Sequence, residues 1–357
     1  MLKLLKYSPV VLLAALSLPL VAHADDDFSS HGRWDRGEHH HSLKVALWGD
    51  EFYADDPTVQ ADQATQTIDS MNAHHVDFTV FVGDTKNGHS VCTDQAIGQR
   101  VVDTFNRLHA PTMYSLGDNE WTDCHRTSNG AYDPLERLSY LRSVFFDKPT
   151  TQGRHPIKVE RQGALGQAYS ENSRFVKNDV EFVALNVIGS NNNLVVTDHQ
   201  CFKKSNRSWD DCNAATAEYR ARNAADMQWL KDSFALAKRE HLAGIVVAIQ
   251  ADVYGGIDLA DGAYREAFLP TLDSNNGFSD FFHTLITETQ SFDGQVLLVH
   301  GDSHYFRIDK AMVDANGQIR PNFTRVEVFG SSDNSWVEMT VDPDSKNVFS
   351  FKPVFLQ

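Results

Sequence analysis

Short apolar runs recur along the chain, and most of them stop at a glycine or amide residue followed by a polar side chain. Apolar runs of this length with such ends are typical of buried β-strands. The runs that predict strands are 43–48, 76–82, 112–116, 244–249, 295–300, 325–329 and 336–341. The pattern therefore predicts a domain built on buried strands, several of which are followed directly by a polar residue.

Between these runs, apolar residues recur at the spacing of one helical face. Ile97, Val101 and Phe105, for example, fall on one stripe. The segments with this pattern are 94–108, 134–146, 214–240 and 278–289. Strands that alternate with helices indicate a layered α/β protein. Because the last two predicted strands follow each other with no helix between them, we expect mixed sheets.

The first 24 residues have the features of a secretory signal peptide. Lys3 and Lys6 precede an apolar stretch, and Ala22-His23-Ala24 matches a cleavage site. The apolar stretch is shorter than the roughly 20 residues that a membrane span needs. We therefore expect a signal peptide over 1–24, a polar histidine-containing linker over 25–42 and a single domain over 43–357. The mature chain would be exported to the periplasm or the extracellular space, without a membrane anchor.

The chain is acidic, with a formal net charge of −16 that removal of the two N-terminal lysines would make more negative. Such a surface repels nucleic-acid backbones, so no nucleic-acid partner is expected. A substrate that carries phosphate would need local cations to offset the repulsion. Bound divalent metal ions are the obvious source of that charge. The oligomeric state stays open.

Four cysteines, Cys92, Cys124, Cys201 and Cys212, are an even number in a chain that we expect to be exported. This arrangement predicts two disulfides, and all three possible pairings remain open. No two of the cysteines have the spacing that is typical of a zinc site.

Polar residues with ligand chemistry follow the predicted strands. In open α/β sheets, ligand sites gather where strands end, so we expect these side chains to converge. The candidate metal ligands are Asp50, Asp84, Asp118, Gln250, Asp302 and His304. Converging carboxylates stay ionised together only if cations hold them. Carboxylate and amide oxygens favour Mg²⁺, Mn²⁺ or Ca²⁺ over Fe²⁺ or Zn²⁺, so the pattern predicts one or two hard divalent ions.

The order of these residues resembles the motifs of the calcineurin-like metallophosphoesterase superfamily. That family has D-x-H, G-D-x-x, G-N-H-D/E, a lone His after a strand, and G-H-x-H. The counterparts here are Gly49-Asp50-Glu51-Phe52, Gly83-Asp84, Gly117-Asp118-Asn119-Glu120, Gln250 and Gly301-Asp302-Ser303-His304. The resemblance implies a four-layer αββα sandwich with mixed central sheets and two metal ions at the strand ends. It also implies that Asp84 bridges the ions, with Asp50 and His304 on the first and Asp118, Gln250 and Asp302 on the second.

The chain departs from the family motifs at several positions. Phe52, Gln250 and Asp302 stand where the family has histidine ligands, and Asp118 replaces an asparagine ligand. Asn119 replaces the histidine that donates a proton to the leaving group. We expect Asn119 and Glu120 to be catalytic residues, with His125 as the substitute acid and His89 and His300 as alternatives. Lys86 and Arg126 are candidate phosphate partners.

The function that these features predict is hydrolysis of a small phosphomonoester or phosphodiester by a metal-activated water. The alternative is a catalytically silent metal- or phosphate-binding protein, and a further one is an interaction protein that uses the fold as a scaffold. A serine hydrolase is not favoured because G-x-S-x-G is absent, and a Rossmann cofactor site is not favoured because G-x-G-x-x-G is absent from the strand ends.

Overall fold

The structure is a computed structural model that describes residues 41–255, 257–258, 263–264, 274–314 and 316–356. Within 257–258 and 263–264 it describes the backbone only. The expected signal peptide and nearly all of the expected linker lie outside the described residues. The expected division of the chain at residues 24 and 42 therefore stays a prediction.

The strands form two large sheets and a small hairpin. The strands are β1 Leu43–Trp48, β2 Phe78–Phe81, β3 Thr112–Tyr114, β4 Glu160–Arg161, β5 Ser173–Lys177, β6 Val180–Ala184, β7 Gly244–Ala248, β8 Ile257–Asp258, β9 Ala263–Tyr264, β10 Gln295–His300, β11 Arg307–Asp309, β12 Phe323–Glu327, β13 Trp336–Val341 and β14 Phe349–Val354. One sheet has the order β14-β13-β1-β2-β3 and the other has the order β11-β12-β10-β7-β6-β5-β4, while β8 and β9 pair alone.

Both sheets are mixed, and each has a parallel centre. In the five-stranded sheet, β1, β2 and β3 run parallel while β13 and β14 are antiparallel to their neighbours. In the seven-stranded sheet, β6, β7, β10 and β12 run parallel. Parallel strands present their carboxyl ends at one edge of a sheet. The strands that precede the candidate ligands are therefore the parallel ones.

The two sheets face each other across an apolar core. Val45, Phe78 and Val80 from the first sheet meet Phe182 and Leu297 from the second, all of them buried. Because side chains alternate along a strand, the same strands also bury residues on their outer faces. Those outer faces are covered by helices, which gives four layers.

The helices are α1 Pro57–His74, α2 Arg100–Phe105, α3 Pro134–Phe145, α4 Gly189–Asn192, α5 Asp198–Phe202, α6 Trp209–Arg239 and α7 Ser279–Gln290. Helices α1, α2 and α3 bury Ile68, Phe105 and Leu141 in the same core as Trp48 and Phe81 of the first sheet. Helices α6 and α7 cover the second sheet in the same way, with a further buried core. The element α4 is a single turn whose backbone at Ser190 and Asn191 departs from helical geometry.

The αββα sandwich with mixed sheets that the sequence resemblance implies is therefore confirmed. The chain has the layered architecture that the sequence resemblance implies. Most predicted strands and helices are present, with ends that shift by a few residues. The observed β12, Phe323–Glu327, starts two residues before the predicted strand, and α6 starts five residues before the predicted helix.

The two predicted disulfides are present, and the structure selects one of the three pairings. Cys92 pairs with Cys124, and Cys201 pairs with Cys212. The first bond links the loop after β2 to the turn after β3, and both of these segments carry candidate site residues. Among the helices that the structure describes, none combines the length and apolar character that a membrane span requires.

Removing the Cys92–Cys124 bond by substituting both residues with serine should lower the free energy of unfolding by roughly 3.5 kcal/mol, because the bond closes a loop with a sequence separation of 32 in the unfolded chain. Denaturant unfolding of the oxidised variant and wild type measures the difference. The corresponding double serine variant of Cys201 and Cys212, whose sequence separation is 11, should lose less free energy of unfolding. Equal losses would contradict the loop-closure account.

Candidate metal centre

The candidate ligands come together where the parallel strands of both sheets end. Asp50, Asp84 and Asp118 follow β1, β2 and β3 of the first sheet. Gln250 and Asp302 follow β7 and β10 of the second sheet, with His304 two residues later. The two sheets thus contribute to one cluster from opposite sides of the central core.

Asp84 lies at the middle of this cluster and is almost completely buried. Its Oδ2 accepts hydrogen bonds from the Asn119 amide at 2.7 Å and from the Tyr53 hydroxyl at 2.9 Å. Its backbone is left-handed, with φ of +59°. This conformation turns the chain sharply after β2, and the preceding Gly83 packs directly on the Gly117 backbone, where a Cβ atom would collide at 2.6 Å.

Asp118 and Asp302 approach each other across Gly189. A Cβ atom on this glycine would lie 2.6 Å from Asp118 Oδ2 and 2.8 Å from Asp302 Oδ1. Only a residue without a side chain allows both carboxylates to occupy these positions. Gly301 does the same for Asp50, because its Cβ atom would lie 1.9 Å from Asp50 Oδ2. Glycines at these turns therefore make room for the converging carboxylates.

Gln250 connects the two halves of the cluster. Its Nε2 lies 3.1 Å from Asp302 Oδ1 and 3.4 Å from Asp84 Oδ2, and its Oε1 accepts from the Gly189 N–H. In this orientation the side chain donates to two carboxylates. Ligation of a metal ion through Oε1 would require the amide to turn. The role of Gln250 as a ligand stays a prediction.

His304 faces Asp50 from the opposite side. Its Nε2 lies 3.5 Å from Asp50 Oδ1, and its Nδ1 lies 2.8 Å from the Ser331 carbonyl oxygen. Because a carbonyl only accepts, the Nδ1 atom carries the proton and Nε2 is directed at the cluster. Burial opposes a charge on the ring, but the Asp50 carboxylate outweighs it and raises the pKa of His304 to about 9.

The carboxylates of the cluster resist ionising together. Burial, followed by the charges of Asp118 and neighbouring acids, raises the pKa of Asp84 well above its ordinary value. Burial and the charges of Asp118 and Asp50 raise the pKa of Asp302 in the same way. Burial also raises the pKa of Asp50, although His304 opposes the shift. This arrangement costs stability unless a cation compensates it.

Tyr53 is a member of the site that the sequence did not reveal. Phe52, which stands at the family's histidine position, points into the aromatic core, with its ring centroid 6.0 Å from Trp48 and 6.4 Å from Phe81. The Tyr53 hydroxyl instead reaches Asp84, and it lies 3.5 Å from Asp50 Oδ1. Tyr53 thus supplies an oxygen atom that can bind a metal ion, whereas Phe52 at the aligned position supplies no ligand atom.

The predicted catalytic residues Asn119 and Glu120 lie at different depths in the site. Asn119 contacts Asp84 through both its side-chain amide and its backbone N–H, so it lies inside the cluster. Glu120 is fully buried just behind it and accepts hydrogen bonds from the Thr85 N–H at 2.9 Å and the Tyr114 hydroxyl at 3.1 Å. These bonds hold the turns after β2 and β3 together, so the geometry gives Glu120 a positioning role.

His125 lies in a neighbouring cavity, and among the described residues no hydrogen bond or ion pair joins it to the predicted ligands. Its Nδ1 donates to the Thr122 carbonyl at 2.5 Å. Burial, Arg207 and Arg126 lower the pKa of His125 to about 4. A neutral ring that makes no contact with the predicted ligands is poorly placed to protonate a leaving group. The role of His125 as an acid stays a prediction, and this geometry does not favour it.

The two candidate phosphate partners are placed differently. Lys86 is buried, its Nζ donates to the Asn87 carbonyl at 3.0 Å, and the charges of Glu120 and Asp84 act on it. It therefore offsets part of the negative charge of the cluster from behind. Arg126 is held by Asp123 at 2.5 Å and lines the cavity that contains His125.

A second group of potential ligands lies behind the cluster. Asp252, His300 and Glu327 present ligand atoms that all lie within 4.8 Å of one another. Arg307 already pairs with both acids, at 2.9 Å and 2.6 Å. The Asp252 N–H also donates to Asp302 Oδ2 at 3.2 Å. Because an arginine supplies the positive charge here, this group supports the position of Asp302 more readily than it binds a metal ion.

The cluster of predicted ligands around Asp84, called the front cluster from here on, fits a hard divalent cation. It combines several mutually repelling carboxylates with a phenol oxygen and one imidazole nitrogen, and glycines clear the space beside the carboxylates. The side chains that would hold the ions are Asp50, Asp84, Asp118, Asp302, His304 and Tyr53, with Gln250 if its amide turns. Oxygen-rich sets of this kind suit Mg²⁺, Mn²⁺ or Ca²⁺.

Metal affinity should rise with pH. The pKa of His304, raised to about 9, means that this ring carries an extra proton near neutral pH, which a bound ion must displace; the raised pKa values of Asp84 and Asp302 act in the same direction. Each displaced proton makes Kd fall about tenfold per pH unit, because the competing proton concentration falls tenfold. Calorimetric titration of Mn²⁺ at pH 6.5 and 8 measures this change. A Kd that is the same at both pH values would contradict the assigned ligands.

Comparisons with known proteins give low-identity structural matches. The chain is similar to a dimetal phosphatase of Danio rerio, with 13% identity, a TM-score of 0.43, and coverage of 88% of this chain and 99% of that one. It is similar to GAP50, the anchor in the inner membrane complex of Plasmodium, with 12% identity, a TM-score of 0.42, and coverage of 88% and 89%. It is also similar to a 5'-nucleotidase of Candida albicans, with 12% identity, a TM-score of 0.39, and coverage of 89% and 53%.

No family model matches the chain. No curated protein matches it either. The structural likenesses are low in both identity and TM-score.

Proposed function

We propose that this chain is a metal-dependent phosphoric ester hydrolase that acts on a small phosphomonoester or phosphodiester. The observation that carries the proposal is the convergence of Asp50, Asp84, Asp118 and Asp302 at the meeting edge of two sheets, with His304 and Tyr53 among them. A protein that used the sandwich only as a scaffold would gain nothing from a cluster of carboxylates that resist ionising. A bound cation would relieve the repulsion between these carboxylates, and this relief would favour binding of the cation.

The chain's own residues have distinct tasks in this proposal. Divalent ions, when bound, would neutralise phosphate oxygens and lower the pKa of a bound water. Asp84 follows β2, which lies between β1 and β3, so it lies between Asp50 and Asp118, and this position would suit it to contact two ions. Asp50 and His304 would hold one ion, and Asp118 and Asp302 would hold the other. Behind Asp84, Glu120 holds the turns after β2 and β3 together, and Lys86 offsets part of the negative charge of the cluster.

Asn119 provides a donor at the front of the site. Its side-chain amide lies 2.7 Å from Asp84 Oδ2 and 3.0 Å from the Tyr53 hydroxyl. An amide donates a hydrogen bond without losing a proton, so Asn119 would orient a phosphate oxygen and would not protonate the leaving group. Proton transfer normally contributes roughly 10²–10⁴-fold to such reactions. We therefore propose that esters with good leaving groups are the faster substrates.

The expected export of the chain stays part of the proposal. Two disulfides persist in oxidising compartments and are rare in the cytosol. A signal peptide over 1–24 would deliver the chain to such a compartment, either the periplasm or the extracellular space. The substrate would then be an extracytoplasmic phosphate ester.

Hydrolysis of p-nitrophenyl phosphate and its bis-ester by the metal-stripped chain tests the proposal. Mg²⁺, Mn²⁺, Ca²⁺, Fe²⁺ and Zn²⁺ are added back one at a time, and nitrophenol release is followed. Activity that returns with one or two of these ions supports the hydrolase. Folded protein that binds metal ions but releases nothing under any condition would replace the hydrolase with the silent binding protein.

A further inference from the structure

A surface cavity of about 350 Å³ opens beside the metal centre. Three segments that are distant in sequence form it: the turn after β3, the α4 turn with its following loop, and the segment within and after α5. The Cys201–Cys212 bond holds the last of these segments against the start of α6.

The cavity is strongly basic on an acidic protein. Arg126, Lys203, Lys204 and Arg207 line it, and Asp123 is the single acidic residue among the lining side chains. The whole chain has a formal net charge of −16. Four cationic side chains around one opening are therefore a local reversal of the overall charge, which focuses anions at this position.

Two of the four cations are held by the protein itself. Arg126 pairs with Asp123 at 2.5 Å, and Arg207 donates to the Gln200 carbonyl at 2.7 Å and the Cys201 carbonyl at 3.3 Å. Lys203 and Lys204 differ, because no described residue forms a hydrogen bond or ion pair with either ammonium group. The protein thus presents two fixed and two available positive charges to whatever enters the cavity.

The Ser190 side chain joins the cavity to the metal centre. The Ser190 hydroxyl lies 2.7 Å from Asp118 Oδ2 and 2.7 Å from Asp123 Oδ1. Asp118 is a predicted metal ligand, and Asp123 lines the cavity. An ester whose scissile phosphate lies at the Asp118 side of the metal centre would have to reach past Ser190 to place a further group in the basic cavity.

We propose that this cavity binds a second phosphate group of the substrate, so that the preferred substrates are small molecules with two phosphates. The inference deepens the proposed function and rests on it. The metal centre would hold the phosphate to be hydrolysed, while Lys203 and Lys204 hold the second one, with Arg207 and Arg126 behind them. Charge-assisted hydrogen bonds to phosphate oxygens are short and strong, and they would add affinity for the second group.

Binding of non-hydrolysable phosphonates tests the inference separately from catalysis. Propyl and hexyl phosphonate are compared with the three-carbon and six-carbon α,ω-bisphosphonates by calorimetry in the presence of Mn²⁺. At least one bisphosphonate should bind wild type roughly 10-fold more tightly than its monophosphonate, about the effect of one charge-assisted hydrogen bond. In the Lys203→Gln/Lys204→Gln variant this preference should vanish, while monophosphonate affinity stays the same.

The control variant removes the same charge elsewhere. Lys346 and Lys352 are exposed and do not line the cavity, so Lys346→Gln/Lys352→Gln should keep the preference. Equal affinity of wild type for mono- and bisphosphonates would overturn the inference, as would an equal loss in both double variants. If wild type prefers a bisphosphonate but hydrolyses no phosphate ester, the hydrolase proposal fails and the second phosphate site stands.

Discussion

Replacing Asp84 with asparagine should abolish metal-dependent hydrolysis while leaving a folded protein. The side chain keeps its size, but it loses the charge that makes it suitable to contact two cations. Loss of residues that merely support metal ligands costs about 10- to 100-fold in affinity or activity, so loss of Asp84 itself should cost at least about 100-fold. Nitrophenyl phosphate turnover and Mn²⁺ titration measure both effects.

The same variant should be more stable than wild type when both are metal-free at pH 8. Burial and neighbouring acids raise the pKa of Asp84, so the stability contributed by its protonated form is lost as pH rises through that folded-state pKa. Asparagine does not ionise and escapes this loss. The advantage should shrink as pH falls towards the ordinary aspartate value of about 4. Thermal unfolding with a chelator measures the difference.

Asp55→Asn is the matched control for this variant. Asp55 lies near the site but its side chain is 78% exposed, so its charge is solvated. It should change neither metal binding nor metal-free stability beyond about 0.5 kcal/mol. A metal-free Asp84→Asn protein that is less stable than wild type at pH 8 would contradict the assigned electrostatics.

The neighbouring residues Phe52 and Tyr53 should show opposite effects. Tyr53→Phe removes only the hydroxyl that contacts Asp84 and Asn119, so metal affinity or turnover should fall about 10- to 100-fold with stability nearly unchanged. Phe52→Leu removes an aromatic ring from the core around Trp48 and Phe81, so it should lower the free energy of unfolding by about 1–3 kcal/mol.

Denaturant unfolding and metal-dependent hydrolysis, measured on both variants, separate the two roles. Turnover of the Phe52→Leu protein should match wild type under conditions in which all of it is folded. If Tyr53→Phe turns over like wild type, the hydroxyl is a structural partner of Asp84 and the donor set is smaller. If Phe52→Leu alone loses turnover, the core position of Phe52 is wrong.

The layered architecture could be predicted because each buried strand carries its own signal. The runs before Asp50, Asp84 and Asp118 are apolar and stop at glycine, and the structure places them side by side. The helix α1 was missed because its sequence is mostly polar, and it buries few residues, among them Ile68 and Met71. Strand β6, Val180–Ala184, was missed because five residues carry little periodicity.

The details of the site depend on turns that sequence position does not determine. Alignment with the family motif places Phe52 at a ligand position, but its left-handed backbone, with φ of +69°, is part of a turn in which Phe52 faces the core and Tyr53 reaches the carboxylates. A tyrosine next to a motif position was the available signal. The basic cavity was also hidden, because its charges come from separate segments of an acidic chain.

Anomalous diffraction from crystals of the chain soaked in Mn²⁺ tests the metal centre most directly. We expect one or two peaks at roughly 2.0–2.6 Å from the carboxylate oxygens of the front cluster, with Asp84 in contact with each peak. Crystals that show no ordered peak, or a peak only beside Asp252, His300 and Glu327, would contradict the account.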